Sequence, residues 1–185
     1  MALGTRQIVV SGLLGAVAIF LGVTRLGFIP VPNISGNATI MHVPAILGGA
    51  LEGPVVGVVV GGIFGVFSWV DASSPIFKDP TVAIVPRLLI GLVASGVFFA
   101  LSRWNITVAS AAAGVLGSAT NTVGVLGAAV LRGLLPVQAI PPIIPQAIAE
   151  AVVAAIITVV VVRGVLLYRS GRVTAPELQG EERRY

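Results

Sequence analysis

The sequence predicts an all-α integral membrane protein, with six transmembrane helices packed as one compact bundle. Three observations carry this prediction. Of 185 residues, 56% are hydrophobic and only 10% are charged, whereas soluble domains carry about 25% charged residues. The mean hydropathy is +1.05. Apolar runs recur along the whole chain, and since one span needs about 20 apolar residues, the length holds roughly six spans and no separate water-soluble domain. The net charge of +4 does not point to nucleic acid, because most arginines stand at the ends of apolar runs, where topology-setting charges belong. With no cysteine and one histidine, His42, disulfides, thiolate metal sites and cysteine nucleophiles are excluded.

The first span covers residues 7–29, behind the short basic start MALGTR. Five more apolar runs follow, so it is read as a retained span and not as a cleaved leader. The segment PVPNISGNAT (30–39) is dense in turn formers and is read as a loop. The second span, 40–52, is short or tilted, because Glu52-Gly53-Pro54 interrupts it before a full crossing length is reached. The third, 55–70, carries Gly57, Gly61, Gly62 and Gly65, a pattern that lets membrane helices pack closely, and it is expected to lie inside the bundle. A polar connection, 71–80, leads to the fourth span, 81–102, with Pro86-Arg87 in its first turns. The fifth span is 106–131 and the sixth 146–168. The connection between them, 132–145, contains four prolines; it cannot run as a plain helix and is expected to fold over the mouth of the bundle. The membrane domain ends at 169, and 170–185 reads as a polar cytoplasmic tail.

With six spans the termini share a side, and that side holds Arg6, Arg103, Arg163, Arg169, Arg172, Arg183 and Arg184 against Arg25, Lys78 and Arg132 opposite. The positive-inside rule then makes both termini cytoplasmic in a multi-pass protein of the cell membrane. The three longest connections fall together on the outer face, as a ligand gate would.

Ionisable groups inside apolar spans cost several kcal/mol unless paired or wet, which singles out Arg87 and Glu150. Both lie roughly 6–9 Å below the outer end of their spans, at about 1.5 Å per residue. Two readings are open for Arg87: its guanidinium fork receives a substrate carboxylate, or it closes the bundle by pairing with Glu150. Gln146 and Glu150 share a helix face at i, i+4, and Asn121-Thr122 interrupts the fifth span. Asn121 is read as pocket-lining and Thr122 as interhelical glue. Asn33, Asn37 and Thr39 in the first outer loop are further candidate ligand contacts. His42, at the start of span two, reads as a buried hydrogen-bonding group and not as a metal ligand, and with Gln146 it counts among the candidate substrate-binding residues. Trp69 and Trp104 read as interfacial anchors.

The absences are equally informative. There is no GxxxxGK[ST] phosphate loop, no HExxH, no GxSxG and no cluster of three histidines or carboxylates, so neither ATP hydrolysis nor the standard hydrolase and metal chemistries are available. Neither catalysis, a metal nor a cofactor is expected. What remains is a transport or binding subunit, or a small channel; a channel needs a polar stripe through the full membrane depth, and here the polar groups cluster in the outer half. On span one, Ser11/Gly15 and Gly12/Ala16 form two overlapping small-xxx-small pairs, which suit close approach of another helix.

The run Ala38 to Trp69, with VPRLLIG (85–91), GSATNT (117–122) and AIAEAVVAAII (147–157), resembles the substrate-binding S components of energy-coupling factor (ECF) vitamin transporters, in the branch that includes pantothenate carriers. The resemblance spans about residues 7 to 168. It implies a six-helix fold that captures a water-soluble vitamin from outside, docks on a membrane coupling (T) subunit driven by two cytoplasmic ABC ATPases, and releases the vitamin inside after tipping over in the membrane. It implies docking through Ser11, Gly12, Gly15 and Ala16. It also implies a vitamin site formed by the loop from Asn33 to Thr39 with Arg87, Asn121 and Glu150. Arg87 tilts the expected substrate towards an acidic vitamin such as pantothenate, ahead of lipoate, cobalamin or a pyridoxine-like compound.

Overall fold

The computed structural model describes residues 4–30, 37–72 and 74–171. Its helices are α1 (Thr5–Val23), α2 (Val43–Glu52), α3 (Pro54–Val70), the short α4 (Pro80–Ala83), α5 (Val85–Ser102), α6 (Ile106–Leu131) and α7 (Ile144–Arg169). Because α4 and α5 form one broken rod, the bundle has the six helical rods that the apolar runs predict. Four stretches are long and apolar enough to cross a membrane: Thr5–Val23, Pro80–Ser102, Ile106–Leu131 and Val137–Arg169. The remaining two, α2 and α3, are shorter apolar helices.

The short helix α2 forms the centre of the bundle. Every residue from Val43 to Ala50 is buried, and the helix packs against α1, α3, α5, α6 and α7. Ten residues rise only about 15 Å, so α2 is sheathed by longer neighbours. Its end is set by Gly53, whose φ of 97° lies where a side chain is strained, and by Pro54 at the first turn of α3, where no N–H is needed.

Close packing rests on glycine. A Cβ on Gly57 of α3 would stand 2.7 Å from the Gly91 Cα of α5 and 2.8 Å from the Gly49 Cα of α2. Three helices therefore meet backbone to backbone at one junction, where dispersion contacts replace the hydrophobic drive that lipid cannot supply. One turn further along α3, a Cβ on Gly61 would meet the Arg87 carbonyl oxygen at 2.1 Å. The glycine-rich third span lies partly inside, as its composition implies.

Two local features depart from the sequence reading. The first span does not continue to residue 29: α1 stops at Val23, Thr24 Oγ1 donates to the Phe20 carbonyl at 2.6 Å, and Arg25 takes a φ of 61°. The segment read as a loop after it begins and ends as a two-stranded antiparallel hairpin, β1 (Phe28–Pro30) with β2 (Asn37–Thr39), pairing Phe28 with Thr39 and Ile29 with Ala38. Edge pairing of three residues satisfies the backbone without needing a periodic apolar pattern, so no strand signal stands in the sequence. The proline-rich connection forms two 3-10 turns, Val137–Ala139 and Pro141–Ile143.

The two ends of the bundle are held by charge. At one end Glu52 Oε1 accepts from both Arg6 and Arg169 Nη2 at 2.6 Å, joining the start of α1, the end of α2 and the end of α7. At the other, Arg25 pairs with Asp71 at 3.2 Å and Arg132 Nε with Asp79 at 2.7 Å.

Candidate functional site

Between the hairpin, α3, α5, α6 and the first turns of α7 lies a cavity of about 180 Å³. It sits at the end of the bundle away from the Glu52 clasp. Of the residues singled out in the sequence, Thr39, Arg87, Asn121, Gln146 and Glu150 line it together. They come from four separate elements, so their convergence is a product of the tertiary structure.

Arg87 is placed by the break in the fourth rod. Pro86 has no N–H to give the Val82 carbonyl four residues earlier, and Arg87 Nη1 donates to that freed oxygen instead, at 2.7 Å. The guanidinium carbon lies 5.4 Å from the Phe64 ring centroid and 4.9 Å from that of Phe77, distances at which the ring faces attract a cation. Arg87 is only 3% exposed, and its Nε has no hydrogen-bond partner among the described residues. The Arg87–Glu150 pair left open by the sequence is not formed: among the described residues no carboxylate lies within salt-bridge distance of Arg87.

Glu150, 7% exposed, makes other contacts. Its Oε1 accepts from the Thr39 backbone N–H and from Gln146 Nε2, each at 2.9 Å. The i, i+4 spacing on α7 thus does what it suggests, and the carboxylate also ties the hairpin to α7. Thr39 Oγ1 in turn accepts from the Met41 N–H at 3.2 Å. Asn121 is 5% exposed and its Oδ1 has no partner among the described residues, and it lines the cavity. Thr122, read as glue, lines it as well.

Other candidates fall elsewhere. Asn33 lies outside the described residues, and of Asn37 only the backbone, in β2, is described. His42 is fully buried at the start of α2, as read, but does not line the cavity, and among the described residues neither ring nitrogen has a hydrogen-bond partner. Trp69 Nε1 donates to the Lys78 carbonyl at 3.2 Å, which braces the connection 71–80.

The apolar walls were not legible beforehand. Phe28, Phe64, Phe67 and Phe77, four of the seven phenylalanines, face the cavity with Met41. In a chain this apolar a phenylalanine carries no signal of its own; the i, i+3 spacing of Phe64 and Phe67 on the glycine-rich helix is the one available clue. The result is a small, largely apolar chamber with one cation, two carboxylates (Glu150 and Asp71), two amides and four hydroxyls among its lining residues. Such a chamber suits retention of one small polar molecule.

The small-residue stripe of α1 is divided by the fold. Ser11 and Gly15 are buried, and a Cβ on Gly15 would meet Ile63 of α3 at 2.6 Å. Gly12 and Ala16 are exposed, with nothing within 4 Å of a Cβ on Gly12, and they stand among the exposed Ile8, Val9, Leu13, Val17 and Phe20.

Comparison with known proteins agrees with this architecture. Residues 6–162 match the family model of the ECF transporter substrate-specific component. A solved chain, from work on the structure and mechanism of the S component of a bacterial ECF transporter, superposes with a TM-score of 0.59. The two are 20% identical, over 88% of this chain and 96% of that one. No curated protein matches the sequence.

Proposed function

Since the chain belongs to the family of ECF transporter substrate-specific components, a family of substrate-binding transport subunits and not of enzymes, we propose that it captures an acidic vitamin, of which pantothenate is the favoured example. One observation supports the acid: Arg87 is a buried guanidinium in the cavity wall, steadied by Val82 and two aromatic rings, with no carboxylate of the described residues within salt-bridge distance. A buried charge without a counter-charge is costly, and a ligand carboxylate removes that cost through a charge-assisted fork. Asn121, Gln146 and Thr39 supply further polar contacts, and Glu150 holds the hairpin over them. Lipoate, cobalamin and pyridoxine-like compounds rank behind.

The coupling partners are a membrane T subunit and two ABC ATPases. Gly12 and Ala16, the exposed members of the α1 stripe, form the centre of the docking face for the T subunit. The arginine asymmetry puts both termini in the cytoplasm and the cavity at the outer face.

The test is mass spectrometry of the small molecule released when the purified protein is denatured, combined with reconstitution. A carboxylic acid in stoichiometric amount, and ATP-dependent uptake only when the T subunit and ATPases are present, are expected. Accumulation by this chain alone, or a bound molecule without an acidic group, overturns the reading.

A further inference from the structure

Arg87 and Glu150 line one cavity, yet neither neutralises the other. The ion pairs among the described residues are Arg6–Glu52, Arg169–Glu52, Arg25–Asp71 and Arg132–Asp79. Both groups are buried, so the protein keeps a cation and a carboxylate in an apolar chamber at a cost that neither recovers from the other. Among the described residues the carboxylate accepts only from neutral donors: the Thr39 N–H and Gln146 Nε2 both fall on Oε1. Oε2 is engaged by neither. The same cavity is walled in part by Met41, Phe64 and Phe67.

We infer that the substrate is bifunctional: a carboxylate received by the Arg87 fork and, elsewhere on the same molecule, an O–H or N–H donor received by Glu150. This rests on the acid reading above and sharpens it. A simple aliphatic acid satisfies Arg87 and leaves Glu150 with neutral donors alone, whereas a hydroxy or amino acid engages both. Asn121 Oδ1, an acceptor without a partner among the described residues, likewise favours a ligand rich in donors. Lipoate-type acids, whose distal part is apolar, are then poor substrates, and hydroxylated acids of the pantothenate type are good ones.

The experiment is calorimetric titration of the purified, ligand-stripped protein with three probes of equal chain length: hexanoate, ω-hydroxyhexanoate and ω-aminohexanoate. The two donor-bearing acids are expected to bind about tenfold or more tightly than hexanoate, the scale of one hydrogen bond to a charged group. In Glu150→Gln the advantage of ω-aminohexanoate is expected to shrink to about threefold or less, and Arg87→Gln is expected to lose all three. Equal binding of the three probes, lost together in Arg87→Gln, overturns the bifunctional substrate and leaves the acid reading standing. Failure of any acid to bind, or binding indifferent to Arg87→Gln, overturns both. Thermal unfolding shows whether each variant is folded; if Glu150→Gln is not, because its contact with the hairpin is weakened, the wild-type ranking decides alone.

Discussion

Arg87 Nη1 donates to the carbonyl oxygen of Val82 at 2.7 Å, an acceptor that is free because Pro86 supplies no N–H to it. The proline therefore does two things at once. It breaks the fourth rod at Ile84, and it creates the backbone acceptor that orients the guanidinium in the cavity wall.

Arg87→Gln is expected to weaken ligand binding by roughly 2–5 kcal/mol, the loss typical of a buried charged contact, while the protein stays folded. Arg87→Lys should recover only part of this, since an ammonium keeps the charge and loses the planar fork. Because Arg87 and Glu150 are not paired, a double-mutant cycle on thermal stability should give a coupling within about 0.5 kcal/mol. Pro86→Ala restores a donor for Val82 and is expected to weaken binding without destabilising the bundle. The checks are titration calorimetry and thermal unfolding in detergent.

The three-helix glycine junction tolerates no side chain. A Cβ on Gly91 would lie 2.2 Å from the Gly57 carbonyl carbon, and backbone cannot rotate away. Gly91→Ala is expected to cost about 3 kcal/mol, the upper range for overpacking. Gly96→Ala on the same helix, where nothing lies within 4 Å, should be neutral or stabilising by up to about 1 kcal/mol from helix propensity. Unfolding midpoints of the two variants make the comparison.

On α1 the inward and outward small residues should behave differently. Ala16→Leu is expected to abolish uptake in the reconstituted complex with ligand affinity unchanged, because it lengthens an exposed side chain on the proposed docking face. Gly15→Leu presses on Ile63 and should lower thermal stability of the isolated chain. Uptake that survives Ala16→Leu would remove this face from docking.

The 71–80 connection should be insensitive to mild acid. Thr81 and Arg132 hydrogen bonds hold the Asp79 carboxylate at about 2, below its ordinary value of 3.8. A depressed carboxylate adds stability that is complete above the ordinary value and is lost as the pH falls through the folded one. The difference in melting temperature between the parent and Asp79→Asn should therefore be constant from near-neutral pH down to about 5 and vanish towards pH 2.

Composition alone determined that this chain is a bundle of apolar helices, because burying polar backbone in lipid leaves helices as the solution for such runs. Arg87, Asn121, Gln146 and Glu150 stood out for the same reason, since a polar side chain in an apolar span is conspicuous wherever it points. The aromatic walls were invisible, as a phenylalanine among valines and leucines costs nothing on either face of a helix. Direction was equally hidden: α1 offers two small-residue pairs of identical spacing, and only the packing of Gly15 against Ile63 separates the inner from the outer. Glu150 shows the limit most plainly. Its partners are Gln146, four residues away, and the Thr39 N–H, 111 residues away. The first follows from helical periodicity, and the second exists only because the hairpin and α7 are brought together by the packing of the helices beneath them.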